Sequence, residues 1–110
     1  MLWTRLGDAP ESLLHSTIEL TDDWNTWAAS DPEVVLRPER PWEGADAPNA
    51  PSQRSVAFGH VNQLRDPAIF TERDADGGQH TYVLYAVAGE SGIALAEIEW
   101  HHLDNERDSR

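Results

Sequence analysis

The sequence predicts an all-β fold, read as part of a β-propeller: about one blade plus a hairpin of the preceding blade, with one short helix near residues 22–29. Two observations carry this expectation. First, residues 82–99 repeat a pattern already used in residues 1–20. Trp3 answers Tyr85, Leu6 answers Ala88, Gly7 answers Gly89 and Asp8 answers Glu90. After a two-residue insertion, Leu13 answers Ile93, Ile18 answers Ile98, Glu19 answers Glu99 and Leu20 answers Trp100, so the offset is 82 residues before the insertion and 80 after it. A hairpin that recurs at a long period marks a repeated β unit. Second, in residues 80–88 Tyr82, Leu84 and Ala86 face one way while Val83, Tyr85 and Val87 face the other. A strand that is apolar on both faces is expected to be covered on both sides.

Taken in order, residues 1–6 and 12–20 read as a strand pair around the turn Gly7-Asp8-Ala9-Pro10. Thr21-Asp22-Asp23 is a helix-capping sequence for one or two turns through Ala29, which would set Trp24 and Trp27 on one face. Residues 33–37 read as a short strand that Pro38 ends. Residues 38–62 carry Pro38, Pro41, Pro48 and Pro51 and little periodicity; so long a loop is either functional or a connector. Ala68 to Thr71 reads as a strand after Pro67. Asp74-Ala75-Asp76-Gly77-Gly78 reads as a hairpin turn, because it lacks the ligand spacing and closing Glu of a calcium loop. Residues 80–88 and 93–100 are the best strands, joined by Gly89 to Gly92. Residues 1–100 are thus the propeller piece and 101–110 a polar tail expected to fray.

At 110 residues the chain is one small domain or part of a larger one. A propeller closes with about four blades or more, so the expectation is a C-terminal piece of a longer fold, or a reading frame begun inside one. Strands apolar on both faces would then leave the isolated chain prone to self-association. Eight basic against twenty acidic side chains give a net charge of −12. That charge repels phosphate backbones and anionic lipid, so neither nucleic acid nor a membrane is an expected partner. The absence of cysteine excludes disulfides, thiolate chemistry and the usual cysteine zinc sites. No apolar run approaches membrane length, and the compartment stays open. No metal or cofactor is implied.

Two motifs are candidates for chemistry. In Arg65-Asp66-Pro67, a carboxylate beside a guanidinium stays ionised and can accept two sugar hydroxyls, while Pro67 fixes the backbone where a strand begins. The plainer alternative is a structural Arg–Asp pair at a strand entry. In Pro41-Trp42-Glu43-Gly44, Trp42 could desolvate Glu43, raising its pKa, and stack on a sugar face; the alternative is a loop carboxylate beside a packing Trp. Trp3 and Trp100, at repeat-related strand ends, are expected in the core. His101 and His102 would point to opposite faces of a strand and make a poor chelate, and Gly89-Glu90-Ser91-Gly92 is a turn rather than a nucleophile elbow.

Arg65-Asp66-Pro67 running into an apolar strand, then an acidic-glycine turn, then Tyr82-Val83-Leu84-Tyr85, resembles the five-bladed β-propeller glycosidases, the superfamily of invertase-like fructosidases, β-xylosidases, arabinofuranosidases and arabinanases. The resemblance covers residues 62–99, with a fainter echo in 1–20. It implies a carbohydrate partner and an active site at the funnel end of a central channel. There Asp66 would hold ring hydroxyls and tune its neighbours, with Arg65 as its partner and Trp42 as a further substrate contact. Glu43 would be the general acid, although in the family that acid usually follows the triplet and here it precedes it. Asp66 and Glu43 are therefore the expected catalytic carboxylates, and Arg65 and Trp42 the expected substrate-binding residues. Glycosidic cleavage needs two carboxylates across the sugar. The family's base or nucleophile lies in a first blade absent here, so the chain is expected to be inactive alone. The alternative is a non-catalytic β-rich module that binds glycan or protein.

Overall fold

The computed structural model describes residues 1–99; the expected tail at 101–110 and the Trp100 core position lie outside the described residues. The fold is all-β, with two three-stranded antiparallel sheets. The first has the order β1 (Leu2–Trp3), β2 (Leu13–His15), β3 (Glu33–Leu36). The second has the order β4 (Leu64–Arg73), β5 (Gln79–Val87), β6 (Gly92–Ile98). No helix of the described residues is long and apolar enough to cross a membrane.

The expected helix at 22–29 is only a 3-10 turn, Trp24–Thr26. Its cap forms as read: the Asp23 side chain accepts from the Asn25 backbone N–H at 3.0 Å. The chain is then pulled back toward the strand it left. Ser30 N–H donates to the Thr17 carbonyl at 2.8 Å, and Ile18 and Ala29 form an isolated antiparallel bridge. Trp27 leaves the turn with extended backbone and its indole N–H donates to the Thr21 carbonyl. Both Trp24 and Trp27 stay exposed rather than packing as a pair. Tertiary pairing has overridden a weak helical propensity.

The internal repeat is geometric as well as sequential. Trp3 pairs with Leu14 and Leu2 with His15 across β1 and β2. Tyr85 pairs with Ala94 and Leu84 with Leu95 across β5 and β6. These are the pairs that the offsets of 82 and 80 map onto one another. The two copies differ in what borders them. β2 lies between β1 and β3, whereas β6 is an edge strand among the described residues.

Leu13, Leu64, Val83, Tyr85 and Val87 form the buried core, with Leu2, Leu36, Ala94, Ala96 and Ile98 packed around it. One core thus joins both sheets. On β5 the Val83, Tyr85 and Val87 face is buried, and the opposite face, with Tyr82, Leu84 and Ala86, is only half-buried. The expectation of cover on both sides is met on one side only.

Candidate functional site

The head of β4 carries the Arg65-Asp66-Pro67 triplet. Arg65 pairs with Ala86 and Ala68 with Leu84, so Asp66 and Pro67 together face the single residue Tyr85, a β-bulge. The bulge accommodates Pro67, which has no N–H to give a ladder, and it begins the strand earlier than the sequence predicts. Asp66 takes φ 54°, a left-handed conformation that Asp tolerates better than most residues.

The bulge separates the two side chains. Arg65 is drawn into a cluster: its Nε donates to Gln63 Oε1 at 2.9 Å, and its Nη1 donates to Glu90 Oε2 at 3.1 Å and the Ser55 carbonyl at 3.0 Å. Nη2 reaches the Gln53 carbonyl at 3.4 Å, and Glu11 Oε1 lies 3.7 Å from Nε. The Arg65 side chain is 12% exposed. Asp66 belongs to none of this. It is exposed and has no hydrogen-bond or ion-pair partner among the described residues. The Arg65–Asp66 ion pair considered from the sequence does not form.

Glu43 is also placed apart from Asp66. It closes a second 3-10 turn, Pro41–Glu43, and is 3% exposed. Its Oε1 accepts from the backbone N–H groups of Glu39 and Arg40 at 2.8 and 3.0 Å, and its Oε2 accepts from the Tyr85 hydroxyl at 2.8 Å. Burial, then the bond to Glu43, pushes the Tyr85 phenol far above its ordinary range, so it stays a donor. The Glu43 carbonyl in turn accepts from Ala88 N–H at 2.9 Å. Gly44 follows at φ 100°, where a Cβ would run into the Val61 carbonyl. Glu43 is thus a pin between the long loop and β5, with both oxygens occupied by protein donors. Trp42, next to it, is 56% exposed, with no polar partner for its indole among the described residues.

The long loop is stitched down rather than free. Gly7 N–H donates to Ser52 Oγ at 2.8 Å and Ser52 N–H to the Asp8 carbonyl at 3.1 Å. Further along, Ala57 N–H donates to Glu90 Oε2 at 3.1 Å and Ser91 Oγ to the Gly59 carbonyl at 3.1 Å. Gly7-Asp8 and Gly89-Glu90 are the repeat-related turns, so the loop grips equivalent corners of both hairpins. Under it lies an open cavity of about 400 Å³, walled by Pro48, Pro51, Phe58, His60, Asn62 and Arg65 among others. Asn62 Nδ2 donates to the Ala47 carbonyl, and its Oδ1 is buried without a partner. Phe58 is 87% exposed at the same place. The cavity includes Arg65 but not Asp66, Glu43 or Trp42. The sequence assigns no role to Asn62 or Phe58; their signal is their place in or beside a long, proline-rich loop.

A third cluster stands at the far end of the second sheet. His80 Nε2 bonds Asp74 Oδ2 at 2.9 Å and Nδ1 bonds Glu97 Oε2 at 2.8 Å, with the ring stacked on Tyr82. The Glu97 bond, then the Asp74 bond, raises the His80 pKa above its ordinary value, and the His80 bond lowers that of Asp74. Asp74 also accepts from the backbone N–H groups of Asp76 and Gly78, which makes this segment a hairpin turn.

Comparison with known proteins yields one curated relative, an uncharacterized protein of Acanthamoeba polyphaga mimivirus. It is 47% identical over 96 residues, covering 86% of this chain and 26% of that protein. The chain therefore spans about a quarter of the length of the curated relative it matches. No family model and no solved structure matches.

Proposed function

We propose that this chain is a carbohydrate-binding part of a larger propeller-type protein related to the glycosidases, and that Asp66 is the carboxylate that engages the sugar. The observation that carries this reading is the state of Asp66 itself. Its backbone is held at positive φ, a conformation in which strained functional positions cluster, and its side chain makes no hydrogen bond or ion pair among the described residues. Exposed and unengaged among the described residues, it has two oxygens free for sugar hydroxyls. The antiparallel three-stranded order of the sheet whose first strand carries this residue supports a blade-like unit, and the relative's greater length leaves room for further ones. Glu43 has no free oxygen in this arrangement, so the second carboxylate of a cleaving pair would come from outside residues 1–99, and the chain alone is expected to bind without hydrolysing.

The test is titration of the ¹⁵N-labelled chain with arabino-, xylo- and fructo-oligosaccharides, followed by NMR. Shifts around Asp66, weakened at least tenfold in Asp66→Asn with the melting temperature unchanged, are the expected result. Absence of binding at millimolar sugar, or undiminished binding by Asp66→Asn, would refute it.

A second reading, the non-catalytic interaction module, is favoured by the outer face of the second sheet. There Ala68, Leu84 and Leu95 form one cross-strand row, with Phe70 and Ile93 in the flanking rows. Phe70 is 52%, Leu95 58% and Ile93 78% exposed. Such a row is what a partner covers.

A further inference from the structure

We infer that the edge of β6 left unpaired among the described residues is an acceptor site for one extended peptide strand supplied by a second polypeptide, and that this strand has the chemistry of β3. The inference rests on the interaction-module reading and is independent of sugar binding.

The repeat supplies the argument. β1–β2 and β5–β6 share one register, so β6 stands to β5 as β2 stands to β1. On its other edge β2 carries β3, antiparallel, with Leu13 opposite Leu36, Leu14 opposite Val34 and His15 opposite Glu33. Between β1 and β3, Leu13 and Leu14 are 0% and 2% exposed, Leu13 as part of the core that joins the two sheets. β6 has seven residues and no partner on the corresponding edge among the described residues. The residues answering Leu13, Leu14 and His15 are Ile93, Ala94 and Leu95; Ala94 packs against the core, while Ile93 and Leu95 stand exposed on the outer face. An unpaired edge with apolar side chains is a template for a further strand, and main-chain bonding along such an edge is a known mode of peptide capture.

Charge refines the partner. Transferred onto β6, the strand's counterpart of Glu33 lies opposite Leu95 and beside Glu97, at the acidic end of the strand. Glu97 already holds His80, and the chain carries −12 overall. A basic residue at that place, followed by Val-Val-Leu, fits better than the acidic one that β3 carries.

The probe is a synthetic peptide of residues Asp31 to Pro38 carrying Glu33→Lys, added at millimolar concentration to the full ¹⁵N-labelled chain. Hydrogen exchange of the outward amides of Gly92–Ile98 is expected to slow at least tenfold, with exchange in β1 and β3 unchanged. A control peptide N-methylated at its ladder amides keeps the side chains and is expected to lose the effect. Because Ile93 and Leu95 are exposed, Ile93→Lys with Leu95→Lys should fold normally and abolish the slowing. Three results would overturn the inference: no slowing at any concentration, equal binding of the N-methylated peptide, or protection of β6 that grows with protein concentration without peptide. The last would make a second copy of the chain the occupant.

Discussion

Leu13 and Ile93 hold the same place in two hairpins of matching register, yet Leu13 is fully buried and Ile93 is 78% exposed. The local instructions are alike: an aromatic residue on the first strand, a glycine-acid corner, an apolar residue opening the second strand. What differs is the neighbourhood. β2 has a strand on each side and turns Leu13 into the shared core, whereas β6, the last strand of its sheet among the described residues, packs Ala94, Ala96 and Ile98 against that core and leaves Ile93 exposed. Register is therefore set within each hairpin, and burial is set by what lies beyond it. The aromatic anchors show the same division. Trp3 Nε1–H donates to Ser16 Oγ at 3.1 Å within its own hairpin, while Tyr85 donates to Glu43, 42 residues away in sequence.

The sharpest way to break the comparison is to truncate both equivalent positions. Leu13→Ala is expected to cost about 3 kcal/mol, as cavities at fully buried leucines do, and Ile93→Ala less than about 0.5 kcal/mol, as at an exposed site. Urea melts of the two variants measure the difference. Equal costs would mean that β6 is covered in solution.

Next in size is the long-range anchor. Glu43→Ala strands the Tyr85 hydroxyl and two backbone N–H groups in a buried place, for a loss of about 3 kcal/mol. Tyr85→Phe removes one donor to Glu43 and is expected to cost about 1 kcal/mol. A catalytic Glu43 with no structural part would show the opposite pattern, a variant as stable as the parent, in the same melts.

The smallest effect concerns an end of the second hairpin that the first does not have. With its pKa raised, His80 stabilises the fold fully below its ordinary value of 6.5, and the contribution is lost as pH rises through the higher folded midpoint. Asp74, lowered from 3.8, contributes above that value and is lost as pH falls through its folded midpoint. The clamp between turn and β6 is therefore at its fullest between about pH 4 and 6.5. An NMR titration should place the His80 midpoint above 6.5 and show it fall in Asp74→Asn; a midpoint unmoved by that change would remove Asp74 from the clamp.

Much of the scaffold was legible in the residues because it is local. The offsets of the repeat map one hairpin register onto the other, and Asp74 to Gly78 is the turn its glycines indicate. The helix at 22–29 was not, since its cap is genuine and the pairing of Ile18 with Ala29 that cuts it short is tertiary. Of the candidate site, the place of the triplet at a strand entry could be read, but the bulge that turns Arg65 and Asp66 apart could not, because it depends on how β4 meets Tyr85. Glu43 beside Trp42 has the look of an acid; that its oxygens are spent on Tyr85 and two backbone groups follows from a contact spanning 42 residues, which no short motif encodes.

The loop between the sheets has one last consequence. Ser52 is fastened to the Gly7-Asp8 corner, Ala57 and Gly59 to the Glu90-Ser91 corner, and Arg65 holds the carbonyls of Gln53 and Ser55 on either side of Arg54. A trypsin nick after Arg54 would part the polypeptide into two segments, one per sheet, whose shared apolar interior would still hold them together. The seam is thus a natural place to divide the molecule into complementing halves.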